Sequence, residues 1–298
     1  MAALSFALFD DRAALEVAGE DRVSYLQGLV SNDVAKAGPA RALHAALLTA
    51  QGRYLHDFFI VALGDAFVLD AEAARLDDLR RRLSLYKLRS KVTITPSARF
   101  EIAAAWGEGA ARALGLADAT GAARSLAGGV AFVDPRLASL GARLLLPQGD
   151  AARTLEGLGF APAAREDYDR MRLALGVPDG SRDLAVEKAL LVESGFDELN
   201  GIDWQKGCFI GQEITARMKY RGLAKKRLVP VAVEGDLPPP DTPIMLGGEE
   251  AGELRSGRDG VALALLRLEL IEKSLETGEK LSAGGARLTP QKPAWARD

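Results

Sequence analysis

One cysteine and two histidines in 298 residues are too few for several kinds of chemistry. A single thiol cannot build an internal disulfide framework, and it fits a reducing compartment. His44, His56 and Cys208 together fall short of the four nitrogen and sulfur ligands of a structural zinc site. A carboxylate-based magnesium site stays open, and no metal ligand is assigned. There is no Gly-x-Ser-x-Gly elbow for a serine nucleophile. A Gly-x-Gly-x-x-Gly turn after a strand and a Walker phosphate loop are also missing. No apolar run approaches the ~20 residues of a membrane-spanning helix. Residues 1–20 carry Asp10 and Asp11 where a signal peptide would be basic and then apolar. These absences predict a soluble, cytoplasmic protein with no membrane partner.

What is present reads as an ordinary globular chain, with 48% apolar and 27% charged residues and a net charge of −3. Its length predicts two or three domains. Ala14–Val17 reads as a strand, followed by a helix that Asp21 can cap, with Val23, Leu26, Leu29 and Val30 at helical spacing. Residues 42–49 and 54–62 form a hairpin around Ala50-Gln51-Gly52-Arg53. A strand at 67–70, a helix over 72–88 and strands at 92–95 and 100–106 follow. Helices are expected near 110–116, 150–158 and 167–175, with strands at 131–133 and 143–146. The Pro-rich stretch 234–243 is a loop inside a terminal β unit whose strands lie at 228–233, 244–246, 251–255 and 261–268. The texture is α+β. Residues 1–221 are expected to form one region, with subdomains of roughly 1–106 and 107–221, and residues 222–298 a small β-barrel.

The octet Lys206-Gly-Cys-Phe-Ile-Gly-Gln-Glu213 holds the only cysteine, between an ammonium, two glycines and an amide–carboxylate pair. It resembles the Lys-Gly-Cys-aromatic-x-Gly-Gln-Glu signature of the YgfZ-type folate-binding proteins, relatives of the glycine-cleavage T-protein (GcvT). Tyr25-Leu-Gln-Gly-Leu-Val-Ser-Asn-Asp33, Leu48-Thr-Ala-Gln-Gly-Arg53, Tyr86-Lys-Leu-Arg-Ser-Lys-Val92, Arg172-Leu-Ala-Leu-Gly-Val-Pro178 and Ala251-Gly-Glu-Leu-Arg-Ser-Gly257 are similar to family segments in the same order. The resemblance implies a GcvT/YgfZ-like fold of two mixed α/β subdomains and a C-terminal barrel around a central opening. It implies tetrahydrofolate, or a one-carbon derivative, as cofactor. Iron–sulfur assembly factors or client enzymes would be partners, in the maturation or repair of iron–sulfur proteins. The alternative is a folate-dependent aminomethyl or methyl transferase or demethylase. Ala174 stands where T-proteins tend to carry a glutamate, and only Asp77 or Asp78 lies where they use an aspartate, so that alternative lacks a placed acid/base.

Cys208 is the expected functional thiol; the plain alternative is a small buried hydrophobe. Lys206, two residues earlier, is expected to favour the thiolate. One cysteine cannot hold a cluster that takes four thiolates, so other ligands would come from a partner. Gly207 and Gly211 are expected to serve backbone geometry. Gln212 and Glu213 either contact a ligand or merely begin a helix. Asn32, Asp33 and Trp204 are assigned to the folate, against the plainer roles of turn and core. Arg217 and Arg221 belong to a run of six cations ending at Arg227, either a solvated face or a trap for the folate's carboxylates. Nucleic acid is disfavoured as the competing anion by the acidic balance of the chain.

Overall fold

In the computed structural model, which describes residues 4–297, the chain forms two compact units. Among the described residues, the first comprises 4–48, 55–165 and 199–210, and the second 49–54, 166–198 and 211–297.

The first unit holds two sheets. One has the strand order Leu43–Leu48, Tyr54–Leu63, Ala66–Glu72, Arg12–Ala18, Thr93–Ser97. The other runs Ala161–Pro162, Ser5–Leu8, Phe100–Trp106, Ala142–Pro147, Gly129–Val133, Ala123–Leu126. All six residues of Leu43–Leu48 are buried, the mark of a strand covered on both faces. Asp70, on the first sheet, has no exposed surface; it accepts from Arg12 Nε at 2.7 Å and from Arg143 Nη2, on the second sheet, at 2.6 Å. The Arg143 and Arg136 guanidinium groups lie 4.3 and 4.9 Å from the centre of the Phe59 ring. Buried charges are tolerated here because each is paired or faces a π-system.

Both histidines sit in this unit. His44 Nε2 lies 2.9 Å from Asp57 Oδ2, and His56 Nε2 lies 2.9 Å from Asp78 Oδ2. Burial holds both imidazoles below their ordinary value, His56 at about 4. In the unfolded chain they protonate near 6.5. Between those values the unfolded state binds more protons, so stability is complete above pH 6.5 and falls as pH drops toward 4. We expect the urea midpoint to fall between pH 7 and pH 5, with His56 contributing about 2 kcal/mol of the loss. His56→Gln should show a shallower fall, and an unchanged slope would contradict the assignment.

The second unit is built on a closed barrel of Lys226–Glu234, Val261–Arg267, Glu249–Arg258, Pro243–Leu246, Leu281–Ala283 and Ala286–Pro290. Val231, Ile244, Leu254, Leu266 and Leu288 fill its interior. Outside it, Arg172 is 1% exposed and donates to Asp169 Oδ1 at 2.7 Å, Asp183 Oδ2 at 2.7 Å and Ser256 Oγ at 2.8 Å. This joins the helix Arg165–Ala174 to the barrel strand Glu249–Arg258.

The α+β expectation holds, with corrections. The first helix spans Arg22–Gln27 and stops at Gly28. Leu29 and Val30 stay buried, but Val30 bridges to Leu47 as extended chain. Asn32 and Asp33 therefore lie in the following loop, where Asp33 caps the short 3-10 turn Val34–Lys36. The terminal barrel also contains a helix, Leu268–Thr277, that the strand pattern hid. Its first residue follows a strand directly, with neither glycine nor a side-chain cap between them. No helix among the described residues is long and apolar enough to cross a membrane.

Candidate functional site

Lys206 is the anchor of the octet. Its side chain is buried, and its ammonium donates to the carbonyls of Gln27 at 2.8 Å, Val30 at 2.5 Å and Asn32 at 2.8 Å. An ammonium has three N–H bonds, and all three are engaged. Lys206 thus satisfies carbonyls at and beyond the end of the first helix, a role more structural than the thiolate partner expected from sequence. The Phe209 ring packs 5.2 Å from Nζ and is itself buried. Burial pulls the Lys206 ammonium down to about 8, opposed by Asp33 and Asp203.

Between these two buried side chains the loop is open. Cys208 is exposed. Gly207 is exposed too, and a Cβ there would meet nothing within 4 Å. Steric necessity at Gly207 is therefore not the reason for that glycine, contrary to expectation. Gly211 does need to be glycine: its φ of +81° is left-handed, and it precedes the helix Gln212–Tyr220. Glu213 lies in the first turn, where a carboxylate favours the helix dipole, and Gln212 opens the helix. In the same unit, a Cβ on Gly52 would lie 3.0 Å from the Gly211 carbonyl oxygen and 3.0 Å from Ile214 Cβ. The hairpin tip is glycine because it sits against this helix start.

In the first unit, Asn32 borders a polar cavity of about 150 Å³, together with Lys36, Arg41, His44, Asn200 and Asp203. Asn32 Nδ2 donates to the carbonyls of His44 at 2.7 Å and Asn200 at 2.8 Å, so both amide hydrogens shape the cavity wall. Asp33 Oδ1 accepts from Gln27 Nε2 at 2.8 Å and from Ala35 N at 3.2 Å. Lys36 bonds Asp203, the residue before half-buried Trp204. Lys36, Arg41, Asn200 and Asp203 were not singled out from sequence. Asn200 and Asp203 had a usable signal, their place just ahead of the octet.

The basic run is less uniform than its sequence suggests. Lys219 pairs with Asp197 at 2.9 Å, and Arg227 pairs with Glu198 at 2.5 Å. Arg217 is 3.9 Å from Glu213, and Arg221 is exposed. Of the aspartates considered for a transferase, Asp78 bonds His56, Arg81 and Arg82. Burial pushes its carboxyl up, but bonds from Arg82, His56 and Arg81 outweigh it and hold the group well below the usual carboxylate range, a poor general base. The Asp77 side chain is 90% exposed, and neither aspartate borders the cavity.

Comparison with known proteins sets this geometry in context. A family model for the C-terminal β-barrel domain of CAF17 matches residues 225–298. The iron–sulfur cluster assembly factor IBA57, mitochondrial, of Mus musculus is 35% identical over 289 residues, covering 89% of this chain and 78% of its own. Its Homo sapiens counterpart is 35% identical over 290 residues with the same coverage. Among solved structures, the glycine cleavage system aminomethyltransferase T from Bartonella henselae matches with a TM-score of 0.79 at 15% identity, over 99% of this chain and 87% of that one. The fold is therefore aminomethyltransferase-like, with the closed barrel at its C-terminal end. The cytoplasmic expectation is overturned, because these relatives are named as mitochondrial proteins. A low cysteine count reports a reducing environment, and that property does not single out the cytoplasm. The resemblance carried by the octet, to a GcvT-like family tied to iron–sulfur assembly, holds, and the chain belongs to the IBA57 family of iron–sulfur cluster assembly factors.

Proposed function

We propose that this chain is a tetrahydrofolate-binding accessory factor for the maturation or repair of iron–sulfur proteins, with Cys208 as its working thiol. The observation that carries this reading is the exposure of the chain's only cysteine on a loop fixed by two buried neighbours, Lys206 and Phe209. Lys206 acts as a positioning residue: its three carbonyl bonds fix the backbone two residues before the thiol. One thiolate supplies one ligand, while clusters usually take four. The cluster is then cargo, and its other ligands come from an assembly partner or a client enzyme.

The polar cavity of the first unit supports the folate part. It offers the Asp203 carboxylate as acceptor and Lys36 and Arg41 as donors, a mixture that suits the amino and oxo edge of a pterin. Asn32 borders the cavity, while Asp33 and Trp204 adjoin its lining residues Asn32 and Asp203 in the chain. Arg217 and Arg221 are proposed separately, as cations of the second unit that attract carboxylates. Gly211, Gln212 and Glu213 would serve by setting the course of the loop. Bound tetrahydrofolate would supply a one-carbon carrier and an oxidisable ring.

Titration calorimetry with tetrahydrofolate tests this half of the reading. We expect micromolar binding by the wild-type chain, unchanged in Cys208→Ala and weakened about tenfold in Asp203→Asn, the loss of one charged hydrogen bond. Absence of heat at millimolar ligand would remove folate from the proposal.

A further inference from the structure

A cleft of about 520 Å³ in the second unit has no part in the reading above. Its floor is apolar, made by Leu190, Met218, Leu223 and Leu265. Around it stand Arg53, Lys188, Lys225, Lys226 and Arg255, against only Glu193 and Glu253, a surplus of three positive charges. Arg255 is neutralised within the unit by Asp241, at 2.6 Å, and by Glu253. The Arg53 guanidinium donates to the Lys188 carbonyl at 2.7 Å, which fixes it at the rim without cancelling its charge. Lys188, Lys225 and Lys226 make no ion pair among the described residues, in contrast to nearby Lys219 and Arg227. Leu223, in the lining of the cleft, is 48% exposed.

Charge and apolar area at one place select the ligand. A bare anion would engage the lysines but leave the leucine floor wet. An apolar group alone would leave the surplus charge without a counterpart. A segment that carries one apolar anchor between carboxylates satisfies both. We infer that this cleft docks an acidic segment of a protein partner, with one leucine-like side chain seated against Leu190, Met218 and Leu265. The charged rim sets the rate and register of encounter, and the buried anchor sets the lifetime. The inference depends on neither folate nor the thiol.

A fluorescein-labelled peptide, Glu-Asp-Glu-Leu-Glu-Asp-Glu, titrated onto the full chain by fluorescence anisotropy, tests it. Saturation is expected in the micromolar range and should weaken as salt is raised. Lys188→Glu/Lys225→Glu, both in loops, should lose about tenfold or more in affinity while keeping the wild-type melting temperature. Leu223→Ser, at an exposed position, should lose about fivefold, as should the peptide with serine in place of leucine. Undiminished binding by the charge-reversed variant would overturn the inference. So would failure to saturate at millimolar peptide. Equal binding of a hexaglutamate without the leucine would also overturn it, and would make the cleft a plain carboxylate trap such as a folate tail could use.

Discussion

Replacing Arg172 with methionine is expected to cost the second unit about 3–5 kcal/mol, the range for breaking a buried ion pair from one side. The guanidinium is 1% exposed and makes four hydrogen bonds, to Asp169, Asp183, Ser256 and the Val177 carbonyl. Asp169 would keep a counter-charge, because Arg182 reaches it with two nitrogens at 3.1 and 3.0 Å. Asp183 would not. It is 2% exposed, and its remaining partners are the backbone N–H groups of Asp179 and Ser256 and the Ser256 hydroxyl. The penalty is therefore an unpaired buried carboxylate more than a lost attraction. Arg172→Met/Asp183→Asn, which removes both charges, should recover at least half of the loss. Urea unfolding of the wild type, the single variant and the double variant measures both effects. A single-variant loss below about 1 kcal/mol would show that the cluster is better solvated than its burial indicates.

The same cluster marks the limit of what the sequence discloses. Arg172, Asp169 and Asp183 look like surface charges on a helix and its exit loop, and Ser256 lies on a barrel strand far along the chain. Only the fold brings them together. The strands were legible where glycine separates apolar runs, as at Gly64 before Phe67–Asp70 and at the hairpin around Gly52. The helix Leu268–Thr277 was not legible, since it follows its strand directly with no glycine or proline to mark the change. In the octet, the exposed thiol and the left-handed Gly211 could be anticipated from residue chemistry. The partners of Lys206 could not, because the acceptors are backbone carbonyls, which every residue carries, and they lie more than 170 residues away. The cavity residues Lys36 and Arg41 were hidden for a related reason: each is an ordinary cation until the loop around Asn32 folds over His44.

Loss of the thiol alone should abolish the biological role without disturbing the structure. Cys208 is exposed, and the loop is held by its neighbours, so removing the sulfur should change stability by no more than about 0.5 kcal/mol. A function that rests on ligating or reacting with a cluster has no substitute in a chain with one cysteine. Lys206 and Phe209 would still fix the loop in Cys208→Ala, so a defect there cannot be blamed on misplacement. The decisive measurement is the activity of an iron–sulfur enzyme that depends on this chain, in cells whose sole copy is Cys208→Ala, with the abundance of the chain and of the client measured in parallel. The account predicts normal abundance of the chain and client activity reduced to a small fraction of wild type. Normal client activity at normal abundance would contradict it and leave Cys208 an inert surface thiol.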